Sequence, residues 1–485
     1  MHSTVFERLP ADRRLIGRSL APSILKPFWL DDQRMPSWPR YDGSARYEGS
    51  ARYDGSKRYD LAVVGGGYTG LWTALLAKQR DPAVRVAIFE AKTIGWAASG
   101  RNGGFCEESL THGEVNGENR FAAELPQLQR LGRGNLDEIE ATVKTLGFDC
   151  DFERTGSIAV ATEEYQVGEL RAAHDGEHEI FFDADAIRLQ LNSPSYLGGL
   201  WSTRATALVH PAKLAAELAR ACAEAGVDIF EHSPVAGIDS EQKTGPVTLT
   251  VRGGFVTADK VALATNAFPS LLKRYRLHTV PVYDYVLMTE PLTDSQLAEI
   301  GWSNRQGVAD SANQFHYYRL SADNRILWGG YDAVYHYGGR IRAEYDDRRE
   351  SFERLASHFF TTFPQLEGIT FTHRWAGVID TSTRFCAFFG QARQNRVSYA
   401  AGFTGLGVGA TRFAANVMLD QLSGEETERT QLAMVRELPL PFPPEPAASV
   451  GVAAMKWALD RADHNQGRRN LFLRTMDAVG LGFDS

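Results

Sequence analysis

The chain has 485 residues, 43% of them hydrophobic and 23% charged, and a formal net charge of -8. That length and ordinary composition suit a globular protein of two or three structural units. The acidic balance leaves no basic footprint for nucleic acid, no apolar run approaches the roughly 18 residues of a membrane-spanning helix, and four scattered cysteines (Cys106, Cys150, Cys222, Cys386) form no CxxC pair for zinc or a disulfide framework.

The N-terminus is charged and has no apolar h-region, so no signal peptide is expected, and with the cysteine usage this predicts a cytoplasmic protein. Residues 1–57 read as an N-terminal extension. Within it, Pro22 to Asp32 (PSILKPFWLDD) is apolar and aromatic enough to dock on a surface. A six-residue repeat follows: RYDGSA at Arg40, RYEGSA at Arg46, RYDGSK at Arg52 and RYD at Arg58. The period fits no solenoid class, and Gly-Ser favours turns. The repeat reads as a linker, or as an arm laid over the body or a neighbouring subunit.

The informative stretch is Tyr59 to Phe105. Leu61 to Val64 reads as a buried strand, Leu71 to Gln79 as a helix, and Val84 to Phe89 as a second strand ending in Glu90. Between the first two lie Gly65, Gly67 and Gly70 at GxGxxG spacing, with Tyr68 and Thr69 inside the turn. Gly65 permits the tight turn, Gly67 lets backbone approach a pyrophosphate, and Gly70 lets helix and strand pack closely. The helix N-terminus offers free N–H groups to the phosphates, and Glu90, with Ala91 and Lys92 beside it, is placed to accept from ribose hydroxyls.

Beyond it, helices are expected at Ala122–Leu146, Tyr165–Asp175, Ala184–Leu191 and Ala212–Ala225, the last opened by His210-Pro211. Strands are expected at Gly156–Thr162, Gly226–Phe230 and Lys260–Ala264, with a hairpin of Val247–Arg252 and Phe255–Thr257 turning at Gly253-Gly254. From Val280 to Trp328 the pattern alternates in antiparallel fashion. Ala343–Phe363 reads as a helix, Trp375–Asp380 and Val397–Ala401 as strands, and Ala410–Leu422 as a last long helix. In the tail, 436–485, Pro439, Pro441, Pro443, Pro444 and Pro446 exclude regular structure, before helices at Val450–Ala462 and Leu471–Val479. The tail reads as packed or subunit-bridging, or as a membrane-surface helix.

Parallel elements bracket antiparallel ones. The expected fold is α/β: a discontinuous Rossmann-like domain with an inserted antiparallel β-rich domain. Two features favour FAD over NAD. A small-residue loop, Ala97 to Gly104, replaces the next βαβ unit and allows close approach to a flat ring. A second glycine-rich turn, Gly402 to Gly407, opens the last helix, whose N-terminus suits negative charge on a reduced flavin.

The stretches DLAVVGGGYTGLWTA, FEAKTIGWAASGRNGGF, ALVHPAKLAAELARACAEAGVDIFEHSPVAGI, VALATNAF, RILWGG, WAGVIDTSTRF and AAGFTGLGV carry a resemblance over residues 58 to 425. Through them the chain resembles the D-amino-acid oxidase superfamily of FAD-dependent amine oxidoreductases, in the gamma-glutamylputrescine oxidase-like branch. The resemblance implies that Gly65, Gly67, Tyr68, Thr69 and Gly70 hold the pyrophosphate, that Glu90, Ala91, Lys92 and Val235 hold the adenosine, and that Ser99, Gly100, Arg101, Asn102, Gly103, Gly104, Thr265, Asn266, Gly402, Gly405, Leu406, Gly407 and Val408 serve the flavin. Monomeric sarcosine oxidase, a distant relative, anchors flavin through a cysteine; Val378 stands at the best-matching position here and Cys386 lies eight residues later, so non-covalent FAD is expected. Leu406 stands where relatives often have histidine.

The implied reaction moves a hydride equivalent from the carbon beside an amine nitrogen to flavin N5, followed by imine hydrolysis and reoxidation by oxygen. A dehydrogenase using another acceptor, or a flavin-binding subunit without its own turnover, are the alternatives. Candidate catalytic residues are Arg101, His316, Tyr318 and Arg319. On their strand His316 and Tyr318 share one face, Tyr317 and Arg319 the other. Arg319 could clamp a substrate carboxylate or serve an ordinary salt bridge. Tyr283 and Tyr285 could wall the pocket or be plain sheet aromatics. The expected division is 58–150, 203–278 and 375–435 for FAD, with 151–202 and 279–374 for substrate. Extension and tail are the candidate contacts for a homo-oligomer.

Overall fold

The structure, a computed structural model, describes residues 2–32, 35–41, 57–174, 176, 178–239, 245–252 and 254–478. The repeat from Asp42 to Ser56 and the turn residue Gly253 lie outside them.

Two sheets organise the described residues. The first has eight strands, and its parallel centre runs Asp228–Phe230, Val86–Phe89, Lys57–Val64, Gly254–Leu263 and Val397–Ala401. Leu61 to Val64 align with Val86 to Phe89, and Leu263 aligns with both Val64 and Tyr399. The carboxyl ends of these strands therefore open side by side, which is where open α/β sheets hold ligands. The helix Tyr68–Arg80 is buried from Tyr68 to Ala77, between the sheet and the helices Pro211–Glu224 and Ala410–Ser423. An apolar run buried on all sides explains why this segment lacks an amphipathic stripe.

The hairpin expected at 247–257 and the strand expected at 260–264 merge, because Gly254–Leu263 is one continuous strand. Its first half pairs antiparallel with Val247–Val251, and its second half runs parallel to Lys57–Val64. The polar residues at its centre face outward, where Asp259 meets Arg58 at 2.7 Å.

The second sheet has ten strands and is largely antiparallel. Its long axis is Thr279–Thr289, paired along its length with Phe371–Ser382. Trp375–Asp380, expected among the FAD-binding segments, therefore belongs to this sheet. The helix expected over Ala343–Phe363 is broken into a 3-10 turn, Ala343–Asp346, and the helix Arg349–Thr362. At the break Arg348 is drawn to Asp332, 2.9 Å away.

The N-terminal segment folds back onto its own chain. Leu15 and Ile16 pack with Phe352 and Leu355, and Ile24–Leu25 adds a parallel edge to His373–Arg374. The docking expected of Pro22–Asp32 is carried by two side chains: Phe28 and Trp29 are buried and join Val286, Met288, Leu327 and Trp375 in one cluster. Tyr41 and Tyr59, at the two ends of the repeat, are both buried against Phe89. The tail also returns to the body, through the helices Ala447–Asp463 and Leu471–Ala478. Among the described residues, no helix is long and apolar enough to cross a membrane.

Candidate active site

At the carboxyl edge of the first sheet, Gly65 turns the chain with φ +110°, and a Cβ there would stand 2.3 Å from the carbonyl oxygen of Ala264. A Cβ on Gly70 would stand 2.0 Å from the carbonyl oxygen of Gly65. A residue at Gly65 would part the two neighbouring strands, and one at Gly70 would part helix from strand. Gly67 caps the helix, and the next N–H, of Tyr68, donates to Ser99 Oγ at 3.0 Å.

Glu90 is buried beside this turn. Its carboxylate accepts from the N–H of Gly66 (2.7 Å), the N–H of Lys92 (2.8 Å) and Trp96 Nε1 (2.8 Å). Those donors fix the acid at the mouth of the crevice. Ala91 is exposed next to it, and Lys92 Nζ lies 3.9 Å from the centre of the Trp96 ring. The N–H of Ser233 donates to the carbonyl of Glu90 at 2.8 Å, which brings the strand opening at Val235 to the same corner.

The small-residue loop is locked from within and without. Asn102 Nδ2 donates to the carbonyls of Ala98 (2.9 Å) and Ser99 (3.1 Å), and its Oδ1 accepts from the N–H of Gly104 (2.8 Å). Trp375 Nε1 donates to the carbonyl of Arg101 at 2.8 Å, and Trp29 Nε1 to the carbonyl of Asn102 at 2.9 Å. The Arg101 guanidinium reaches Asp346 (2.8 Å), the carbonyl of Trp96 (3.0 Å) and the carbonyl of Ala376 (3.2 Å).

The second turn depends on Asp380. Its Oδ2 accepts from the N–H of Gly402 at 2.6 Å, and burial raises its pKa to about 7. Asn266, at φ +48°, hydrogen-bonds the same carboxyl and follows Thr265 out of the Gly254–Leu263 strand. Gly402 and Gly405 have φ of +79° and +94°, and the turn passes through Leu406, Gly407 and Val408 into the helix Ala410–Ser423.

A cavity of about 880 Å³ joins these loops to the antiparallel sheet. Arg101 to Phe105 and Thr404 to Leu406 line one part; Tyr283, Asp284, Tyr317 and Val378 line another. The size suits a ring system and a small ligand together. The Tyr317 hydroxyl donates to Asp284, whose pKa burial raises to about 6. Glu107 also lines the cavity. It has no hydrogen-bond or ion-pair partner among the described residues, and burial raises its pKa to about 7.

The four residues expected at the substrate part company. Arg101 lines the cavity, but its guanidinium is engaged as described. His316 and Tyr318 do share a face, and that face packs on the helix Arg349–Thr362. His316 is fully buried between Asp310 (2.6 Å) and His358 (2.9 Å). Tyr318 is buried with its hydroxyl 2.6 Å from that of Tyr196. Arg319 is buried and donates to the carbonyls of Val209 (2.7 Å) and Gly104 (3.4 Å), and burial lowers its pKa to about 10. No carboxylate pairs with it among the described residues. It ties the end of the small-residue loop to the body. Tyr283 reaches the cavity, whereas the Tyr285 hydroxyl is spent on the carbonyl of Tyr345 at 2.9 Å. Tyr317, named with its strand neighbours as a candidate, does line the cavity; sequence reasoning missed Glu107, Asp284 and His112, also lining residues. Glu107 stands three residues past the small-residue loop, the one sequence cue that could have found it.

A glycine cradle, a helix N-terminus, a fixed acid and a chamber between the small-residue loop and the second glycine turn fit a dinucleotide with a flat redox ring. They define a flavin-binding oxidoreductase. The chain belongs to the FAD dependent oxidoreductase (DAO) family, which matches residues 60–421. It is 32% identical to the gamma-glutamylputrescine oxidoreductase of Escherichia coli (strain K12), over 79% of this chain and 87% of that one. It is 28% identical to "Probable oxidoreductase OrdL" of Haemophilus influenzae, over 76% of this chain and 83% of that one. These relatives support the gamma-glutamylputrescine oxidase-like branch. Glycine oxidase from Geobacillus kaustophilus shares the fold, with a TM-score of 0.63 at 22% identity over 77% of this chain and 96% of that one. FAD is the cofactor, bound non-covalently: Val378 lines the cavity, and Cys386 is buried in the core and does not line it.

Proposed function

We propose that this enzyme oxidises the C–N bond of a small amine or amino acid and passes the electrons to oxygen, giving hydrogen peroxide. The observation that carries the reading is the shared chamber, in which the small-residue loop, the second glycine turn and the antiparallel sheet face one space. The names of the relatives, an oxidoreductase of gamma-glutamylputrescine and a glycine oxidase, support the substrate class. FAD, when bound, supplies the hydride acceptor at N5; the protein supplies orientation and electrostatics.

An alkyl amine enters largely as its ammonium form, whose lone pair is not available for oxidation. Glu107 is the residue suited to take that proton, as a carboxyl without a partner among the described residues and with a pKa near neutrality. Asp284 and Tyr317 orient the substrate, and the loop locked by Trp29 and Trp375 would hold the flavin ring. The unit around the eight-stranded sheet holds FAD and the ten-stranded sheet faces substrate. Four unpaired, buried cysteines fit a cytoplasmic enzyme. Peroxide measured during turnover tests the acceptor: stoichiometric peroxide supports an oxidase, and turnover that needs an added electron carrier identifies a dehydrogenase.

A further inference from the structure

The large chamber has a wall that does not come from the part of the chain matched by the family. Leu440, Phe442, Val452, Met455, Phe472 and Met476 line the same cavity as Gly104 and Leu406. All six lie beyond residues 60–421, the matched stretch. They are apolar, and Phe472 keeps 37% of its surface exposed. An apolar lining in a cavity of this size is the ordinary form of a small-molecule pocket.

The segment is fastened by polar groups along its length. Arg384 donates to the carbonyl of Glu437 at 3.0 Å, and Thr383 to that of Leu440 at 2.7 Å. The N–H of Phe442 donates to the carbonyl of Leu277 at 2.7 Å. Glu445 accepts from the Tyr335 hydroxyl at 2.7 Å and the N–H of Gly338 at 2.8 Å. Lys456 pairs with Asp332 at 2.9 Å, and Asp463 accepts from the backbone N–H groups of Asn313 (3.0 Å) and Gln314 (3.1 Å). Attachment is polar, while the cavity side is apolar.

We propose that residues 437–478 form the specificity wall of the chamber, and that the substrate they select is an amine carrying an alkyl or aryl body of several carbons. This rests on the amine-oxidation reading above. The shared scaffold places the reacting C–N bond, and the tail measures what is attached to it. Among the described residues, the one charged group of the tail that lines the chamber, Lys456, is committed to its ion pair with Asp332, so the wall recognises shape and apolarity and not a second charge.

The test compares hexylamine and benzylamine with methylamine on the FAD-loaded enzyme, in wild type and in Phe442→Ala, Met455→Ala and Met455→Trp. The wild type is expected to favour the apolar amines. Phe442→Ala and Met455→Ala are expected to lower the ratio of kcat/KM for apolar over small amine by about tenfold or more, the scale for lost apolar contact in a pocket. Met455→Trp, which fills space, is expected to lower the same ratio through KM. Melting temperatures identify variants that lose the fold, and anaerobic binding of cyclohexanol, followed by the flavin spectrum, is expected to weaken in the alanine variants. An unchanged ratio in folded variants, or a wild type that prefers methylamine, overturns the wall. Failure of every amine to reduce the flavin overturns the amine reading itself.

Discussion

The indole N–H of Trp29 donates to the backbone carbonyl of Asn102 at 2.9 Å. A residue from the N-terminal segment, outside the family-matched stretch, thus holds the loop that faces the chamber. Trp29→Phe removes one buried hydrogen bond and is expected to cost about 1 kcal/mol. Trp29→Ala is expected to cost about 3–5 kcal/mol. Thermal melts with and without added FAD check both, and FAD affinity should fall with Trp29→Phe even where the fold survives. An unchanged FAD dissociation constant contradicts the bracing role.

Gly70→Ala pushes a methyl to within 2.0 Å of the Gly65 carbonyl oxygen. The variant is expected to lose about 1–3 kcal/mol through overpacking and to purify with little bound flavin. The flavin-to-protein absorbance ratio reports it. Gly168→Ala is the control: it lies in the helix Glu164–Ala173 with nothing within 4 Å of the new methyl, so it should gain up to about 1 kcal/mol and keep its flavin.

Asp380 gives a stability prediction with a definite sign. Its folded pKa is raised from 3.8 to about 7 by burial. The folded state therefore holds the proton more tightly than the unfolded one. Its contribution is fully present below about pH 4 and is lost as pH rises toward 7 and beyond, by about 4 kcal/mol at most. Asp380→Asn keeps an oxygen for the Gly402 N–H and cannot ionise. The melting temperature of the variant relative to wild type should rise between pH 5 and pH 8; a constant difference contradicts the assignment.

Glu107 gives a kinetic one. Its pKa is raised from 4.5 to about 7 by burial, so its basic form grows in as pH rises through 7. The kcat/KM profile should show a rising limb there, in addition to the limb of the substrate amine. Glu107→Gln should remove the limb near 7, leave that of the amine, and lower kcat/KM by about 10²–10⁴-fold at neutral pH. A limb near 7 that survives the substitution identifies another group.

The legible parts of the sequence were those set locally. The glycine turn, its strands and Glu90 follow from backbone sterics and periodicity, and they lie where the spacing puts them. The face alternation of His316 to Arg319 was also legible, since strand geometry fixes it. Which face meets the chamber was not, because it depends on the helix Arg349–Thr362 packing against His316 and Tyr318. Glu107 and Asp284 look like ordinary acids until folding removes their water. The tail's two helices were legible, but the wall they form was hidden, because its apolar residues gain meaning only from the cavity they border.

The most direct measurement is the flavin absorbance of the purified enzyme mixed without oxygen with a panel of alkyl, aryl and amino-acid amines. The expected result is a bound yellow chromophore released intact by acid precipitation, and rapid bleaching by at least one apolar amine. A protein that binds no flavin, or bound flavin that no amine bleaches, would contradict it.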